Sequence, residues 1–295
     1  MNASRQPLPD GRLHFQHGPI DIVIGAEGDA GVVAAAHEAA WQRFQTVLPE
    51  LVAELPLLRR RVQGPCPLRG RIAQRMWCAC RPHHTEFITP MAAVAGAVAQ
   101  ELIAAYQHSA IRRAWVNNGG DIALHLAEGE SLSIGLFADL ARLDVRQLTQ
   151  GLALDGRFEI HAAMPVRGIA TSGWRGRSFS LGIADSVTVL ASSAAMADAA
   201  ATMIANAVDV DAPGIERRPA NTLKDDTDLG TLPVTIAVPR LTPDQRGSAL
   251  RAGLKRAQDL QQRAVIFAAM LACQGQLLST PLPHAESILV EAIPS

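Results

Sequence analysis

Two Ala-rich helical segments, each lying between groups of short strand-like segments, limit the fold of this chain more than any other sequence feature. The first helix is predicted over about residues 89–107, because Thr89 can cap free amides and Pro90 fits the first helical turn. The second begins at Ser192 or Ser193 and continues to about residue 208. Strict alternation of strand and helix is absent, so this order predicts an α+β fold of mostly antiparallel sheets with packed helices.

Turn signals divide the remaining apolar segments into strands and further helices. The segment from Leu13 to Ile24 is broken at His17-Gly18-Pro19, which predicts a hairpin. Short strands are also predicted at 114–116, 122–126, 158–190, 234–238, 265–272 and 276–278. Asp29 is a plausible N-cap for a helix that Pro49 and Pro56 bend or end, and another helix is predicted at 243–261. The Pro-rich and Arg-rich segment 55–70 is typical of a surface connection.

Length and composition indicate a globular protein with a sizeable core. The chain has 295 residues, of which 48% are hydrophobic, and we expect a single domain, 1–295, with pseudo-repeat halves at about 13–150 and 151–280. Its formal net charge of -1 argues against nucleic acid as a partner. The uncharged, Ala-rich segment 87–100 is too short to span a membrane. No secretory signal is recognised near residue 1, so we expect a cytoplasmic protein.

Four cysteines, at positions 66, 78, 80 and 273, are expected to remain thiols in a reducing cytosol. Cys78 and Cys80 lie near His83 and His84, an arrangement that could suggest a zinc site. The segment lacks a second Cys pair at zinc-finger spacing, so buried or partly exposed thiols are the alternative.

Two glycine-containing loops offer groups that could bind a phosphate. Asn117-Asn118-Gly119-Gly120-Asp121 joins two strands, and its glycines permit positive φ and exposed backbone N–H groups, which suit a phosphate or an amide-bearing ring. A tight turn that binds no ligand requires the same residues, so this alternative stays open. The loop Thr171-Ser172-Gly173 places two hydroxyl groups beside a glycine. The sequence contains neither the Gly-x-Gly-x-x-Gly motif nor a Walker motif.

The second Ala-rich helix carries a carboxylate and a hydroxyl group with helical spacing. Asp198 and Thr202 are four residues apart, so they project from one face and could share a hard cation such as Mg²⁺. A solvated Asp198, together with a Thr202 hydroxyl that bonds to a helix carbonyl, would explain the pair equally well.

Taken in order, these elements resemble the ApbE family of Mg²⁺-dependent FAD:protein FMN transferases. That family has Asp-x-Gly-Gly-Ile-Ala-Lys-Gly at a helix start, then Asn-x-Gly-Gly-Asp-Ile, Ala-Thr-Ser-Gly, Ser-Val-Thr-Val and Ala-Asp-Ala-x-Ala-Thr. The corresponding segments here are 89–96, 117–122, 170–173, 186–189 and 197–202. The chain as a whole, over roughly residues 13–278, looks still more like the UPF0280 group of ApbE-like proteins.

The resemblance implies an ApbE-like fold, with an internally duplicated, T-fold-like arrangement and a flavin dinucleotide cleft between its halves. It implies FAD or a related nucleotide as the small-molecule ligand, Mg²⁺ near the pyrophosphate, and a protein acceptor whose hydroxyl group displaces AMP. The implied metal ligands are the backbone carbonyl of Val94 and the side chains of Asp198 and Thr202. The implied cofactor-binding residues are Asn118, Gly119, Gly120, Asp121, Thr171, Ser172 and Gly173.

Two departures from the family pattern leave several functions open. Ala95 replaces the motif lysine, and the family's charged His-x-Ile-Asp-Pro-Arg-Thr-Gly loop is absent, although Asp185 could substitute for its aspartate or serve only as a turn residue. The family's usual lipoprotein signal is not recognised either. Three classes of function stay open. The first is an enzyme, either a transferase or a nucleotide pyrophosphate hydrolase, and the second is a noncatalytic binder of a flavin, pterin or purine-like ring. The third is a structural or assembly protein whose glycine loops are only turns.

Overall fold

The computed structural model describes residues 2–136 and 156–281. Within those ranges the chain forms thirteen strands and six α-helices. Two compact units are present: unit 1 comprises Met1–Leu132, His161–Ala170 and Leu190–Ala199, and unit 2 comprises Ser133–Ile160, Thr171–Val189 and Ala200–Ser295. The division into halves at about residue 150 stays a prediction.

The strands and helices are labelled in chain order. The strands are β1 (Ser4–Pro7), β2 (Leu13–His17), β3 (Ile20–Gly28), β4 (Ile111–Asn118), β5 (Asp121–Leu126), β6 (Ser131–Leu136), β7 (Gly156–His161), β8 (Gly168–Ser172), β9 (Ser186–Ala191), β10 (Glu216–Pro219), β11 (Pro233–Ala237), β12 (Ala268–Cys273) and β13 (Gln276–Ser279). The helices are α1 (Ala30–Ala53), α2 (Leu55–Leu58), α3 (Arg71–Cys80), α4 (Val94–Ile103), α5 (Ala194–Ala207) and α6 (Pro243–Gln262).

The sheet of unit 1 has the strand order β1-β2-β3-β4-β5-β8, and each neighbouring pair is antiparallel. The predicted hairpin over residues 13–24 is confirmed, with His17 opposite Ile20 and Gly18 at φ +58°. Across β3 and β4, Gly25 lies opposite Trp115, and a Cβ atom at Gly25 would lie 2.1 Å from the indole ring. Glycine at this position therefore makes room for the tryptophan.

Helix α1 begins where the sequence predicts, because the Asp29 carboxylate accepts a hydrogen bond of 3.0 Å from the Val32 amide. Pro49 lies inside this helix, which continues to Ala53, so Pro49 does not end it. Pro56 instead lies in the first turn of α2. The buried stripe of α1 has the expected spacing and consists of Ala36, Ala40, Phe44, Val47 and Leu51.

The helix predicted over residues 89–107 is divided into three pieces, which corrects the sequence-based expectation. A 3₁₀ turn (Pro90–Ala93) precedes α4, and a second 3₁₀ turn (Ala104–Tyr106) follows it. The break occurs at Ala93, whose φ of -128° and ψ of 14° are not helical. Thr89 precedes the first turn in an extended conformation, but its side chain makes no capping hydrogen bond. The α-helical part of the predicted helix therefore begins only at Val94, with an N-terminus of its own.

Unit 2 contains the end of β8 and most of β9, followed in strand order by β12 and β13. Every residue of β9 is buried. Helix α6 begins with a capping box in which Thr242 and Gln245 bond to each other's backbone amides. The segment 173–185, where the sequence rhythm predicts further short strands, contains turns and bends but no strand.

The mixture of helices and antiparallel strands confirms the predicted α+β class. The internal duplication that the resemblance implies stays a prediction. In the described part of the chain, no helix combines the length and the apolar character needed to cross a membrane.

Candidate functional site

The turn between β4 and β5 has the glycine-dependent conformation expected from its sequence. Gly119 and Gly120 have φ values of +67° and +109°, and the Gly120 amide donates a 2.8 Å hydrogen bond to the side-chain oxygen of Asn117. A Cβ atom at Gly120 would meet nothing within 4 Å. The demand for glycine at position 120 is therefore conformational, and the space beside it is open.

Asn118 ends β4 as a buried side chain whose amide points into unit 1. Its Nδ2 group donates a 3.1 Å hydrogen bond to the backbone carbonyl of Ala95, in the first turn of α4. Asn118 therefore holds the start of α4 in place relative to the β4–β5 turn. Its predicted contact with a cofactor stays a prediction.

Asp198 reaches the N-terminus of α4 from the second turn of α5. Its Oδ2 atom accepts a 2.9 Å hydrogen bond from the amide of Gly96, and the Ala95 amide also bonds to this carboxylate. The first amides of a helix lack partners within that helix, and Ala93 supplies no side-chain cap. A carboxylate from another helix thus fills the capping role, which is favourable at the positive end of the helix dipole. Asp198 is half-buried, and its carboxylate bonds to backbone amides of another helix.

Burial of its carboxyl group raises the pKa of Asp198 to about 7, although the hydrogen bonds from Gly96 and Ala95 act in the opposite direction. The charged form is therefore poorly solvated at neutral pH. A cation placed next to the carboxylate would favour the charged form and lower this pKa.

Close contact between helices explains the small residues at the start of α4. A Cβ atom at Gly96 would lie 2.3 Å from the Ala194 carbonyl oxygen and 2.9 Å from the Cβ atom of Asp198. On β8, a Cβ atom at Gly168 would lie 2.1 Å from the amide nitrogen of Ala194. Helix α4 and strand β8 thus both approach the first turn of α5 closely, each at a glycine. Gly96 is therefore needed because a side chain there would collide with the backbone of α5. Ser193 begins this helix as predicted, with its hydroxyl oxygen 3.4 Å from the Met196 amide.

The other two predicted metal ligands are both half-buried. Val94 is the first residue of α4, and Thr202 follows Asp198 by one helical turn in the part of α5 that belongs to unit 2. Among residues 2–136 and 156–281, no three His, Cys, Asp or Glu side chains are grouped so that they could hold a metal ion. The predicted ligand set contains only one carboxylate.

In unit 2, the loop Thr171-Ser172-Gly173 lies at the end of β8. The hydroxyl groups of Thr171 and Thr188 are 3.0 Å apart, and a Cβ atom at Gly173 would lie 2.3 Å from the carbonyl oxygen of Asp185. Ser172 is half-buried. The backbone at Gly173 therefore packs directly against the neighbouring segment, whereas the hydroxyl of Thr171 lies in a polar pair.

Asp185 has a structural role in unit 2. Its side chain is buried, with one carboxylate oxygen 3.3 Å from Nε1 of Trp174 and the other accepting a hydrogen bond from the Gln274 amide. Arg175 and Arg177, the nearest cations in sequence, are exposed, and Arg175 lies over the Trp174 ring at 4.8 Å. These contacts support the interpretation of Asp185 as a residue that fixes a turn.

Cys66 and Cys78 are exposed, Cys80 and Cys273 are buried, and all four are free thiols. The Cys80 thiol donates to the Thr89 carbonyl oxygen at 3.3 Å. Within the described ranges, these thiols and the nearby histidines are not part of a three-residue grouping that could hold a metal ion.

Comparison with known proteins places these features in a family. The sequence profile of the family described as AbpE bacteria matches residues 5–279. A UPF0280 protein from Methanosarcina acetivorans is 30% identical over 215 residues, which cover 72% of this chain and 77% of that protein. A UPF0280 protein from Methanothrix thermoacetophila is 36% identical over 172 residues, covering 57% of this chain and 66% of the relative.

Among solved structures, the ApbE protein from Thermotoga maritima aligns with a TM-score of 0.49 and 11% identity, covering 94% of this chain and 96% of that one. The profile match spans nearly all of the described chain, and the two UPF0280 relatives align with it over 77% and 66% of their own length. The chain therefore belongs to the AbpE bacteria family and is an ApbE-like protein of the UPF0280 group.

Proposed function

We propose that this protein binds a flavin nucleotide, FAD or FMN, together with Mg²⁺. The observation that carries the proposal is the Asp198 carboxylate, which the Gly96 and Ala95 amides hold at the N-terminus of α4. The two amides hold the carboxylate in a fixed position at the start of α4, where its remaining acceptor capacity could serve a cation. Asp198 lies within the Ala-Asp-Ala-x-Ala-Thr segment that resembles the ApbE metal motif.

The chemistry of the proposed donor set fits Mg²⁺. A carboxylate from Asp198, a hydroxyl from Thr202 and a carbonyl from Val94 are all hard oxygen ligands. Mg²⁺ commonly uses one or two protein carboxylates and completes its shell with water and substrate phosphates, so a set with one carboxylate is adequate. When bound, Mg²⁺ would neutralise negative charge on the pyrophosphate of the nucleotide.

We propose that Asn118, Gly119, Gly120 and Asp121 line the nucleotide site in unit 1. The positive φ values of the two glycines and the open space at Gly120 support this assignment, because a ligand can approach backbone that carries no side chain. In unit 2, we propose Thr171, Ser172 and Gly173 as contacts for the phosphates. The Asn118 amide also positions the first turn of α4, so its substitution should disturb Asp198 as well.

The reaction that the family resemblance supports is transfer of FMN to a protein acceptor. The acceptor hydroxyl oxygen would form a bond to the phosphorus of the FMN moiety, and the bond from that phosphorus to the bridging pyrophosphate oxygen would break. AMP would leave with the bridging oxygen, and the hydroxyl proton would be released. Water as the acceptor would instead give pyrophosphate hydrolysis. Ala95 in place of the motif lysine removes a cation from this region and favours a second candidate, a noncatalytic flavin-binding protein.

Binding of FAD with and without Mg²⁺, measured by isothermal titration calorimetry, tests the proposal. We expect Mg²⁺ to strengthen FAD binding by the wild type and to have no effect on Asp198→Asn, because the amide loses the charge that attracts the cation. Asp29→Asn is a matched control, since Asp29 also caps a helix with its carboxylate but belongs to no proposed ligand set. Equal FAD affinity with and without Mg²⁺ in the wild type would contradict the metal assignment.

Covalent flavin fluorescence on an acceptor protein, after denaturing electrophoresis, tests the transferase alternative. We expect little transfer by the wild type, because the loss of one charge-stabilising contact commonly lowers a rate by about 10²- to 10³-fold. An Ala95→Lys variant should label the acceptor faster. Strong labelling by the wild type that disappears in Asp198→Asn would show that Ala95 does not limit the reaction.

A further inference from the structure

A cavity in unit 1 lies among residues that the proposed flavin site does not use. Its volume is about 690 Å³, which is in the range of small-molecule sites. Two segments form it, the loop before α3 and the C-terminal part of α3 with the turn that follows. The lining residues are Val62, Gln63, Gly64, Pro65, Cys66, Trp77, Cys78, Arg81 and His84.

Hydrogen bonds at both ends of the loop hold the rim of this cavity in place. At one end, the Val62 amide donates to the Ile88 carbonyl oxygen at 2.9 Å. At the other end, the Glu54 carboxylate accepts hydrogen bonds from the amides of Arg69 and Gly70, at 2.7 and 2.6 Å. Both ends of the loop are therefore fixed, which lowers the entropic cost of ordering it when a ligand binds.

The lining combines an apolar base with an exposed guanidinium group. Val62 and Trp77 are buried, whereas Arg81, His84 and the thiols of Cys66 and Cys78 are exposed. Among the described residues that line the cavity, none is acidic. The site thus offers apolar contact together with a guanidinium group, which recognises carboxylate, sulfonate and phosphate groups through charge-assisted hydrogen bonds.

A further arginine stabilises the cationic edge. Nη2 of Arg61 is 3.2–3.4 Å from the backbone oxygens of His84, Thr85 and Glu86. Nδ1 of His84 is in turn 2.9 Å from the carbonyl oxygen of Arg81. The segment that carries Arg81 and His84 is therefore fixed against the loop that precedes α3.

We infer that this cavity is a second ligand site, which binds a small organic anion with an aromatic or otherwise apolar body. The apolar part would lie against Val62, Pro65 and Trp77, and the anionic group would pair with Arg81. The inference does not depend on flavin binding, because the cavity shares no residue with the proposed flavin site.

Fluorescence titration with two probes tests this inference. Anilinonaphthalene sulfonate is an apolar aromatic anion, and N-phenylnaphthylamine is a similar neutral molecule. We expect Arg81→Gln to weaken binding of the anionic probe by about tenfold or more and to leave the neutral probe unaffected. The Cys78→Trp variant should fill the cavity and weaken both probes. Arg60→Gln is the control, because Arg60 is exposed near the same loop but does not line the cavity.

Alkylation of the thiols gives a readout that does not depend on fluorescence. Iodoacetamide should modify Cys66 and Cys78 and spare the buried Cys80 and Cys273. Saturating anionic probe should slow modification of the two exposed thiols in the wild type but not in Arg81→Gln. Unchanged affinity of the anionic probe in both Arg81→Gln and Cys78→Trp, with circular dichroism showing intact folds, would overturn the inference.

Discussion

Replacement of Gly96 by alanine tests the close packing that positions Asp198. In an ordinary helix this change stabilises the protein by about 1 kcal/mol, because glycine is a poor helix former. At Gly96 the new Cβ atom would lie 2.3 Å from the Ala194 carbonyl oxygen, a backbone atom that cannot move aside cheaply. Overpacking of this kind costs typically about 1–3 kcal/mol, and displacement of Asp198 from the Gly96 amide would weaken a charge-assisted hydrogen bond as well.

We therefore expect Gly96→Ala to lower the free energy of unfolding by about 1–3 kcal/mol despite its better helix propensity. Gly247→Ala is the matched control, because this glycine also lies inside a helix but its added Cβ atom would meet only the flexible end of the Arg251 side chain, at 3.1 Å. The control should gain up to about 1 kcal/mol. Urea unfolding followed by circular dichroism measures both changes. Equal stabilisation by the two substitutions would refute the close approach at Gly96.

Two further predictions concern the buried ion pairs and the β4–β5 turn. Burial raises the pKa of Glu101, but the guanidinium groups of Arg43 and Arg75, at 2.9 and 2.8 Å, outweigh this effect and hold it below its usual value. Glu101→Gln should therefore lower the free energy of unfolding by about 1–3 kcal/mol at neutral pH, since Arg75 loses this carboxylate and Arg43 keeps only Glu50. A carboxylate whose pKa is lowered by folding stabilises the protein at pH values above its pKa in the unfolded chain. This stabilisation is lost as the pH falls through its pKa in the folded protein. Urea unfolding at about pH 3 should therefore show a smaller difference in stability between variant and wild type. Gly119→Val and Gly120→Val should both weaken FAD binding, because a β-branched residue is strained at φ values of +67° and +109°. If both variants bind FAD and melt as the wild type does, the turn has no role in ligand binding.

Local sequence signals predicted those parts of the fold that local interactions determine. The Asn-Asn-Gly-Gly-Asp segment predicted a hairpin because its glycines are needed at positive φ, and both have it. Asp29 and Ser193 predicted helix starts because their side chains can bond to amides only a few residues ahead. Such signals operate within a single turn of the chain, so they are visible in the sequence itself.

The start of α4 could not be predicted in this way. No Ser, Thr, Asp or Asn immediately precedes Val94, and the carboxylate that caps this helix comes from Asp198, which is 102 residues after Gly96 in the sequence. The continuous run of small residues therefore looked like one long helix. The motif resemblance predicts Asp198 and Asn118 as site residues, and the structure adds that both bond to the first turn of α4.

The long sequence separation within unit 1 has a consequence for how the protein is made. Unit 1 comprises residues up to Leu132 but also needs His161–Ala170 and Leu190–Ala199. A ribosome that adds about 5–20 residues per second needs roughly 2–8 s to synthesise residues 133–172, which end with β8. Until β8 has emerged, β5 lacks its second neighbour and exposes unpaired backbone groups, which is the condition under which edge strands associate with other chains. The nascent protein is therefore most exposed to aggregation during this interval, and a chaperone that shields β5 would be of most use then.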